Sequence, residues 1–532
     1  MRYFLFYLII FFSIVLQSCK PDKKENFSDI KLFRWYSGVV DNKEIFMMFS
    51  SSNANTAEGL AFTNKNESVV SLQDLTINSK SLKIKSDSGS VSIKGKWKIN
   101  DSDLVFTQKK KEQSVFKLQP QYKIPYFKER YIKNIFESVQ RSEEVYGKAQ
   151  GFYKSKKVAE MGLSAYPSII MGVFNELKKN PMTTELSLDM DIYEPKGDTN
   201  SYRPVLVLLH AGAFIVGDKR EKFQEELATY FAKSGYVVAS INYRLGYMFI
   251  PGMYSNLERC IYKAVQDTRA AIRWLVHNKK KYRIDSNNIF LCGNSAGGFI
   301  SLITAFMDED EIFESAKGNF FLLQDDLGCL DCSGNSIKKK FKIKGVINLW
   351  GAITDLELIS NSDKTPILLI HGDSDKIVPY GYGYPFRNIY EKLSAIFSKK
   401  VYGSKEIFNK AIEENLYAKL VTIKNGSHEP YMDDNNVFTK EYDGIRNAID
   451  TFIYSQIKPE KIVVKKQNIN EYKISNVNAD SKIFIEINGG CITSYKNNIA
   501  KITRFKNSDK CIFKVAVLNK IGILSESEME IN

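Results

Sequence analysis

Residues 288–298 read Asn-Ile-Phe-Leu-Cys-Gly-Asn-Ser-Ala-Gly-Gly. The apolar run predicts a buried strand, and Gly293 and Gly297 frame Ser295 in a Gly-x-Ser-x-Gly pentapeptide. Where such a pentapeptide joins a strand to a helix, a sharp turn presents the serine hydroxyl, and the glycines let neighbouring elements pass closely. The stretch therefore predicts a strand–turn–helix unit with Ser295 as nucleophile. Because only three positions are fixed, the pentapeptide needs partners elsewhere in the chain.

Short apolar runs alternate with long amphipathic segments through the middle of the chain. The strand candidates are residues 205–209, 237–241, 289–292, 344–349, 367–370 and 420–423. Apolar residues at helical spacing predict helices over 257–278 and 442–456. This alternation is typical of an α/β domain with a mostly parallel central sheet.

A serine nucleophile needs a general base, because an unassisted hydroxyl is a poor nucleophile at neutral pH. The chain has four histidines, His210, His277, His371 and His428. The pentapeptide resembles the nucleophile motif of the α/β-hydrolases. In those proteins the acid and then the histidine follow the serine along the chain. This order leaves His371 and His428 as candidates for the base.

The stretch from His371 to Pro379 reads His-Gly-Asp-Ser-Asp-Lys-Ile-Val-Pro. It resembles the His-Gly-x-x-Asp-x-x-Val-Pro motif of the α/β-hydrolase superfamily. By this resemblance Asp375 is the acid, with Asp373 as the alternative on the same loop, and His371 is structural. His428 follows the last strand candidate and is implied as the base: a carboxylate holds one ring nitrogen, and the other nitrogen takes the serine proton.

A second motif follows an earlier strand. Residues 208–214 read Leu-Leu-His-Ala-Gly-Ala-Phe and resemble the His-Gly-Gly-Gly-Phe oxyanion segment of esterases and lipases. The resemblance implies that backbone N–H groups of Ala211, Gly212 and Ala213, with that of Ala296, hold the negative oxygen of a tetrahedral intermediate. Alanine replaces two glycines of the pattern, and alanine resists positive φ.

Further likenesses lie at residues 189–195, 241–245, 267–275 and 346–352. Together they resemble the carboxylesterase and hormone-sensitive-lipase-like branch, which includes bacterial acetyl and feruloyl esterases. The resemblance implies a serine esterase that cleaves small-molecule or carbohydrate esters through an acyl-enzyme, without metal or cofactor. A prolyl-oligopeptidase-type serine peptidase and a non-catalytic binding lipoprotein on a hydrolase scaffold are the alternatives.

The domain organisation follows from changes in pattern. Period-2 alternation and turn signals predict a small β-domain, sandwich or barrel, over 27–122, and a helical linker over 123–149 with its helix near 126–146. The α/β-hydrolase domain spans 150–457, and its inserted segments 308–340 and 380–417 are expected to build the substrate pocket. After Pro459, renewed alternation predicts a β-sandwich-like module over 459–532.

The N-terminus carries an export signal. Arg2 precedes an apolar stretch that ends in Leu-Gln-Ser-Cys at 16–19, and this stretch predicts a signal peptide rather than a membrane span. The ending resembles a bacterial lipobox, which implies a lipid-modified Cys19 and an anchor in the cell envelope, at the outer membrane or cell surface. An ordinary secretory peptide is the alternative. Residues 20–26 predict a polar tether.

Charge and the remaining cysteines add limits. The formal net charge is +14, but the lysines are spread along the whole chain without a basic helix, which argues against nucleic acid as a partner. Cys491 and Cys511 are candidates for a disulfide in an exported protein. Cys329 and Cys332 have neither a second ligand pair nor histidines nearby in sequence, so no zinc site is expected.

Overall fold

A computed structural model describes residues 35–118, 130–156, 182–248, 255–318, 324–386 and 398–531 with short gaps, and a few isolated positions between them. The described residues fall into two compact units. One contains the residues up to 126 together with 460–518 and those from 524 onwards. The other contains 127–459 together with 519–523.

The N-terminal part of the first unit is a closed barrel. Its strands are β1 (Trp35–Val40), β2 (Lys43–Ser52), β3 (Thr56–Thr63), β4 (Gln73–Asn78), β5 (Ser81–Ser86), β6 (Gly89–Ile99), β7 (Asp103–Gln108) and β8 (Gln113–Leu118). Consecutive strands pair antiparallel, and Tyr36 pairs with Leu118 to close β1 on β8. Alternate side chains, among them Met47 and Trp97, fill the interior. The β-domain is therefore the barrel of the two predicted forms.

The second unit is built on an eight-stranded sheet. Its strands are β9 (Val139–Gly151), β10 (Thr184–Pro195), β11 (Arg203–Leu209), β12 (Val237–Ile241), β13 (Ile284–Asn294), β14 (Ile343–Leu349), β16 (Ile367–Gly372) and β19 (Ala418–Ile423). The spatial order is β19-β16-β14-β13-β11-β12-β10-β9. The pairs that involve β10 are antiparallel and the others are parallel. This is the α/β-hydrolase fold.

Helices and a small sheet complete this unit. The helices are α1 (Lys222–Lys233), α2 (Ser255–His277), α3 (Ala296–Phe306), α4 (Ser404–Glu413) and α5 (Glu441–Ile457). The small sheet joins β15 (Ala352–Ile353), β18 (Val401–Gly403) and β17 (Tyr382–Gly383). Central strands such as β11 and β12 are buried at every residue, because hydrophobic clusters cover both faces of the sheet. The predicted strands and the helix predicted over 442–456 lie within these elements, and the helix predicted over 257–278 extends one residue past the end of α2.

The C-terminal part of the first unit contains two antiparallel sheets. Its strands are β20 (Val463–Asn468), β21 (Glu471–Ser475), β22 (Lys482–Asn488), β23 (Gly490–Lys496), β24 (Ile499–Arg504), β25 (Cys511–Leu518) and β26 (Leu524–Ile531). One sheet has the order β20-β21-β24-β23 and the other β22-β25-β26. Tyr472 of one sheet packs against Phe513 of the other, with ring centroids 5.9 Å apart. Two facing sheets with an apolar interior agree with the expected sandwich.

The helical linker predicted over 123–149 is wrong for the described part of that range, residues 130–149. Residues Val139–Gly151 form strand β9, which pairs with β10 from Val139 opposite Pro195 to Gly151 opposite Thr184. β9 lies at the edge of the sheet, so few of its side chains are buried, and Tyr146 is one of them. Its sparse apolar residues do not show the alternation of a half-buried strand, and backbone pairing with β10 decides its conformation.

The boundaries of the second unit also differ from those predicted for the α/β domain. The unit begins before residue 150, and Asn519–Ile523, the turn between β25 and β26, belongs to it rather than to the C-terminal module. Ile521 and Ile523 are buried in its hydrophobic cluster, and the Tyr131 hydroxyl donates to the Ile521 carbonyl at 2.7 Å. A contact between residues so far apart in the chain leaves no local pattern.

Cys329 and Cys332 form a disulfide, which the sequence did not suggest. The side chain of Cys491 lies outside the described residues, so its bridge to Cys511 stays a prediction. Cys19 and the signal peptide also lie outside them. Over the part of the chain that the structure describes, no helix has the length and apolar character needed to cross a membrane.

Candidate active site

Ser295 lies in the turn between β13 and α3, with φ 53° and ψ −115°. This backbone conformation is strained for a residue with a side chain. The turn is tight: a Cβ on Gly293 would lie 2.0 Å from the Gly297 carbonyl oxygen, and one on Gly297 would lie 2.0 Å from the Leu209 carbonyl oxygen. The Ser295 N–H donates to the Leu349 carbonyl at 2.9 Å. Glycine is therefore required on both sides of the serine.

The structure brings Ser295, His428 and Asp375 together in one line of hydrogen bonds. The Ser295 hydroxyl donates to His428 Nε2 at 2.9 Å. His428 Nδ1–H donates to Asp375 Oδ2 at 2.7 Å. All three side chains are buried at the carboxyl ends of β13, β16 and β19, where parallel strands present their following loops at one edge of the sheet.

The loop after β16 holds Asp375 rigidly. Asp375 Oδ1 accepts hydrogen bonds from the backbone N–H groups of Ile377 at 2.7 Å and Val378 at 3.0 Å. The alternative acid, Asp373, is exposed and accepts instead from the Asn425 N–H at 2.6 Å. Asp373 therefore ties this loop to the loop that carries His428, and it is Asp375 that contacts the imidazole.

Electrostatics in the group favour an ionised acid beside a basic imidazole. Burial raises the pKa of Asp375, but the charge of His428 and the hydrogen bonds from His371 and His428 outweigh burial and hold that pKa well below its ordinary value. Burial lowers the pKa of His428, and the Asp375 charge and hydrogen bond reverse this and raise it above its ordinary value. An imidazole in this setting can accept a proton from Ser295 and hold it next to the carboxylate.

The segment from Ala211 to Phe214 lies next to the serine turn and takes an unusual backbone path. Gly212, Ala213 and Phe214 have φ of 112°, 53° and 61°. The carbonyl of Gly212 accepts hydrogen bonds from the N–H groups of Ile215 and Val216 at 2.9 and 3.0 Å. The structure thus places an alanine at positive φ where the sequence departs from the glycine pattern. Such strain persists only where surrounding contacts hold it.

His210 stabilises the segment from Ala211 to Phe214. Its ring is fully buried and stacks on Tyr243 with centroids 4.3 Å apart, and its Nδ1–H donates to the Ala211 carbonyl at 2.7 Å. The Tyr243 hydroxyl donates to the His210 carbonyl at 2.8 Å. Burial lowers the pKa of His210 to about 4, so the ring is neutral at physiological pH. His210 therefore acts as a structural residue of the loop.

Two acidic residues with raised pKa values, Glu429 and Glu221, were not singled out by any sequence motif. Glu429 follows His428 at φ 52° and is 9% exposed, and burial raises the pKa of its carboxyl. Burial also raises the pKa of Glu221 to about 8, and the charge of Glu429 adds to this effect. Within the described ranges, His, Cys, Asp and Glu side chains form no cluster that could hold a metal ion.

Comparison with known proteins identifies relatives of this unit. The model of the BD-FAE family matches residues 190–364. Esterase-5C of Drosophila persimilis is 27% identical over 190 residues, which cover 31% of this chain and 33% of that protein. Carboxylesterase 3B of Mus musculus is 30% identical over 163 residues, which cover 29% of this chain and 27% of that protein. The match thus spans about a third of these relatives.

Solved structures with detectable similarity include esterase 2 of Thermogutta terrifontis. It is 18% identical, with a TM-score of 0.34 over 51% of this chain and 89% of that one. A truncated carbohydrate esterase from gut microbiota is 19% identical, with a TM-score of 0.32 over 50% of this chain and 90% of that one.

Sheet order and the serine turn define the second unit as an α/β-hydrolase. Within it, residues 190–364 match the BD-FAE family model, and the proteins similar to this segment include carboxylic ester hydrolases. Because the matches cover about a third of the chain, the activity of the whole protein is a proposal.

Proposed function

We propose that this protein is a serine esterase that hydrolyses carboxylic esters through an acyl-enzyme on Ser295. The observation that carries the proposal is the line of hydrogen bonds from Ser295 through His428 to Asp375, with the serine on a strained turn. A buried serine at such a turn, bonded to a histidine that a carboxylate orients, is the arrangement of an activated nucleophile.

The mechanism follows from the donors and acceptors. Ser295 Oγ attacks the ester carbonyl carbon while His428 Nε2 takes its proton, and the imidazolium forms beside ionised Asp375. His428 then gives the proton to the departing alkoxide oxygen, which releases the alcohol and leaves the acyl group on Ser295. A water molecule then attacks the acyl carbonyl while His428 takes its proton, and His428 returns this proton to Ser295 Oγ as the bond to the acyl group breaks and the acid is released.

Backbone N–H groups stabilise the negative oxygen in both steps. Two observations support this role for residues 211–213: Gly212 and Ala213 have positive φ, and a Cβ on Gly297 would lie 2.0 Å from the Leu209 carbonyl oxygen and 2.9 Å from that of His210, just before the segment. Ala296 is the residue directly after the nucleophile, and its N–H lies at a helix N-terminus, which favours negative charge. We assign the oxyanion hole to the N–H groups of Ala211, Gly212, Ala213 and Ala296.

Replacement of the nucleophile tests the mechanism. Ser295→Ala and His428→Ala are expected to lower kcat by at least about 10⁴-fold while the fold is kept, because each removes a group that acts as a unit with the other. For Asp375→Asn the expected loss is about 10²- to 10⁴-fold. Hydrolysis of p-nitrophenyl acetate measures the rate, and circular dichroism checks the fold. A Ser295→Ala protein with full activity would overturn the mechanism.

The substrate class is tested with a panel of esters. We propose small acyl esters, with acylated carbohydrates included, as substrates. The panel contains p-nitrophenyl acetate and butyrate, acetylated and feruloylated sugars, and dipeptidyl substrates. Faster cleavage of dipeptidyl substrates would favour a peptidase. Failure to cleave any ester, together with failure of a fluorophosphonate probe to label Ser295, would favour a non-catalytic binding protein.

We also propose that the protein is exported and anchored through a lipid on Cys19. The apolar N-terminal stretch that ends in Leu-Gln-Ser-Cys supports this, and the Cys329–Cys332 disulfide agrees with an oxidising compartment. Metabolic labelling with palmitate and membrane fractionation test the anchor. Cys19→Ala should abolish labelling and should release the protein from the membrane fraction. Labelling that persists in Cys19→Ala would contradict the proposal.

A further inference from the structure

A second histidine contacts Asp375, the carboxylate that orients His428. His371 is the fifth residue of β16, and its side chain is fully buried. Its Nε2 lies 3.1 Å from Asp375 Oδ2, the oxygen that also accepts from His428, and 3.2 Å from the Val378 carbonyl oxygen. Because both neighbours of Nε2 are acceptors, this nitrogen must carry a proton.

The other ring nitrogen lies in a chain of buried polar groups. His371 Nδ1 is 2.9 Å from the hydroxyl oxygen of Ser404, the first residue of α4. The Ser404 hydroxyl oxygen is 3.2 Å from Asn348 Nδ2, near the end of β14. The orientation of the Asn348 amide follows from its own neighbour, since Asn348 Oδ1 accepts from the Gly351 N–H at 3.1 Å.

The orientation of the Asn348 amide fixes the direction of every hydrogen bond in this chain of polar groups. Asn348 Nδ2–H donates to the Ser404 oxygen, which leaves the Ser404 proton to donate to His371 Nδ1. His371 Nε2–H then donates to Asp375 Oδ2. A neutral His371 with its proton on Nε2 satisfies all of these groups. Asn348, Ser404 and His371 are each 0% exposed, so water does not compete for their hydrogen bonds.

We propose that His371 is a positioning residue of the esterase reaction: held in one tautomer by Ser404 and Asn348, it fixes the Asp375 carboxylate that orients His428. The proposal rests on the esterase function proposed above. His371 does not contact the substrate; it acts through Asp375. With the two N–H groups of Ile377 and Val378 on Oδ1, His371 holds the carboxylate in the one orientation that faces His428.

His371 also moderates the charge of the acid. A hydrogen bond to the Asp375 carboxylate disperses its negative charge and weakens its attraction for protonated His428. Loss of this donor should therefore make His428 harder to deprotonate and move the acid limb of kcat/KM to higher pH. Among the described residues, the charge of Glu429 acts on His428 and is itself affected by Asp375, and Glu221 is affected by Glu429. The Tyr380 ring packs edge-on against His371, with centroids 5.7 Å apart.

A matched pair of variants tests the role. His371→Gln and His371→Met have side chains of similar length, but only glutamine places an N–H donor where Nε2 lies. His371→Met is expected to lower kcat by about 10- to 100-fold with KM changed less than about threefold, because the acid loses its orientation. His371→Gln should recover kcat to within about fivefold of the wild type. The acid limb of kcat/KM should move to higher pH in His371→Met and return in His371→Gln.

The outcomes separate this inference from the proposed function. A wild type that hydrolyses no ester and is not labelled at Ser295 by a fluorophosphonate rejects the function itself. With an active wild type, equal loss in both variants with an unchanged pH profile rejects the positioning role, as does wild-type kcat in His371→Met. If His371→Met does not fold, Ser404→Ala replaces it, since it removes the hydroxyl that fixes the tautomer. Wild-type kcat and pH profile in Ser404→Ala would then reject the role.

Discussion

Backbone conformation at single residues decides whether the oxyanion segment can form. A Cβ added to Gly212 would lie 1.9 Å from the Val216 carbonyl oxygen, and its φ of 112° is unfavourable for any other residue. Ala213 and Phe214 follow at positive φ with side chains present. The single glycine thus makes possible the turn that the two next residues complete under strain.

Gly212→Ala is therefore expected to displace the segment and to lower kcat by about 100-fold or more, the cost of losing an oxyanion donor. Gly444→Ala is the control, because it adds the same atom to an exposed position of α5 where nothing lies within 4 Å. The control should keep full activity and raise the free energy of unfolding by about 0.5–1 kcal/mol. Ester hydrolysis and chemical denaturation measure the two effects. Full activity of Gly212→Ala would rule out this segment as the oxyanion hole.

The pH dependence of the rate follows from His428. The imidazole must be neutral to take the serine proton, and Asp375 raises its pKa above the ordinary value of 6.5. We expect kcat/KM to rise with pH along a limb whose midpoint lies above 6.5. In Asp375→Asn the charge is lost, so the midpoint should fall together with the rate. A wild-type midpoint below 6.5 would contradict the effect of Asp375 on the pKa of His428.

At the scale of single residues, the sequence identifies the residues that carry the chemistry, but it does not show which of them contact one another. Ser295, Asp375 and His428 stand in motifs with chain order, and the structure brings them together. The contacts of His371 with Ser404 and Asp375 depend on where α4 packs beside β16, which a motif does not encode. The positive φ of Ala213 is a second feature that the sequence does not reveal, because surrounding contacts impose it against the backbone preference of alanine.

Among the elements, central parallel strands are the easiest to predict. β11 and β12 are buried on both faces, so their runs of apolar residues mark them directly. Edge strand β9 carries charged residues that form ion pairs, for example Glu144 with Lys281 at 2.8 Å, and lacks that signal. The difference is physical: pairing with β10 stabilises β9 through the backbone, which every sequence shares.

Helix α5 carries a buried carboxyl that should make stability depend on pH. Asp450 is 8% exposed, its Oδ2 accepts from the Tyr230 hydroxyl at 3.3 Å, and its Oδ1 has no partner among the described residues. Burial raises its pKa from 3.8 to about 7. A raised pKa in the folded state means that stability is full below pH 3.8 and is lost as the pH rises to about 7.

Asp450→Asn removes this loss, because the amide does not ionise and can still accept from Tyr230. The variant should exceed the wild type in free energy of unfolding by about 1–2 kcal/mol at pH 8, after allowance for solvent screening. Below pH 4 the difference should be much smaller. Asp443→Asn, at an exposed position of the same helix, serves as the control and should show no such pH-dependent gain. Urea denaturation at several pH values measures this, and a pH-independent difference for Asp450→Asn would contradict the prediction.

Over the whole molecule, the catalytic unit is discontinuous in sequence. Segment 519–523 supplies Ile521 and Ile523 to its hydrophobic cluster, and Asn200 Nδ2 joins Tyr131 in donating to the Ile521 carbonyl at 2.8 Å. The change in sequence pattern predicts a domain boundary at Pro459. The sequence does not mark segment 519–523 as part of the catalytic unit, because the alternation of β25 and β26 continues on both sides of this segment.

Ile521→Ala should therefore lower the stability of the catalytic unit by about 2–4 kcal/mol, the usual cost of removing a buried isoleucine side chain. Ile469→Ala is the matched control, since Ile469 is 85% exposed, and its effect should stay within about 0.5 kcal/mol. Loss of esterase activity on heating reports the unfolding of this unit. Equal midpoints for the two variants would show that the segment contributes nothing to the catalytic unit.

The position of Ile521 also bears on how the protein is made. Tyr131 and Ile521 are 390 positions apart, so the ribosome adds Ile521 long after Tyr131. Until Ile521 and Ile523 are added, the α/β-hydrolase unit lacks two core side chains and stays short of its final stability, which agrees with the export proposed above. A nascent chain that ends at Pro459 should be more easily digested by protease than the finished enzyme.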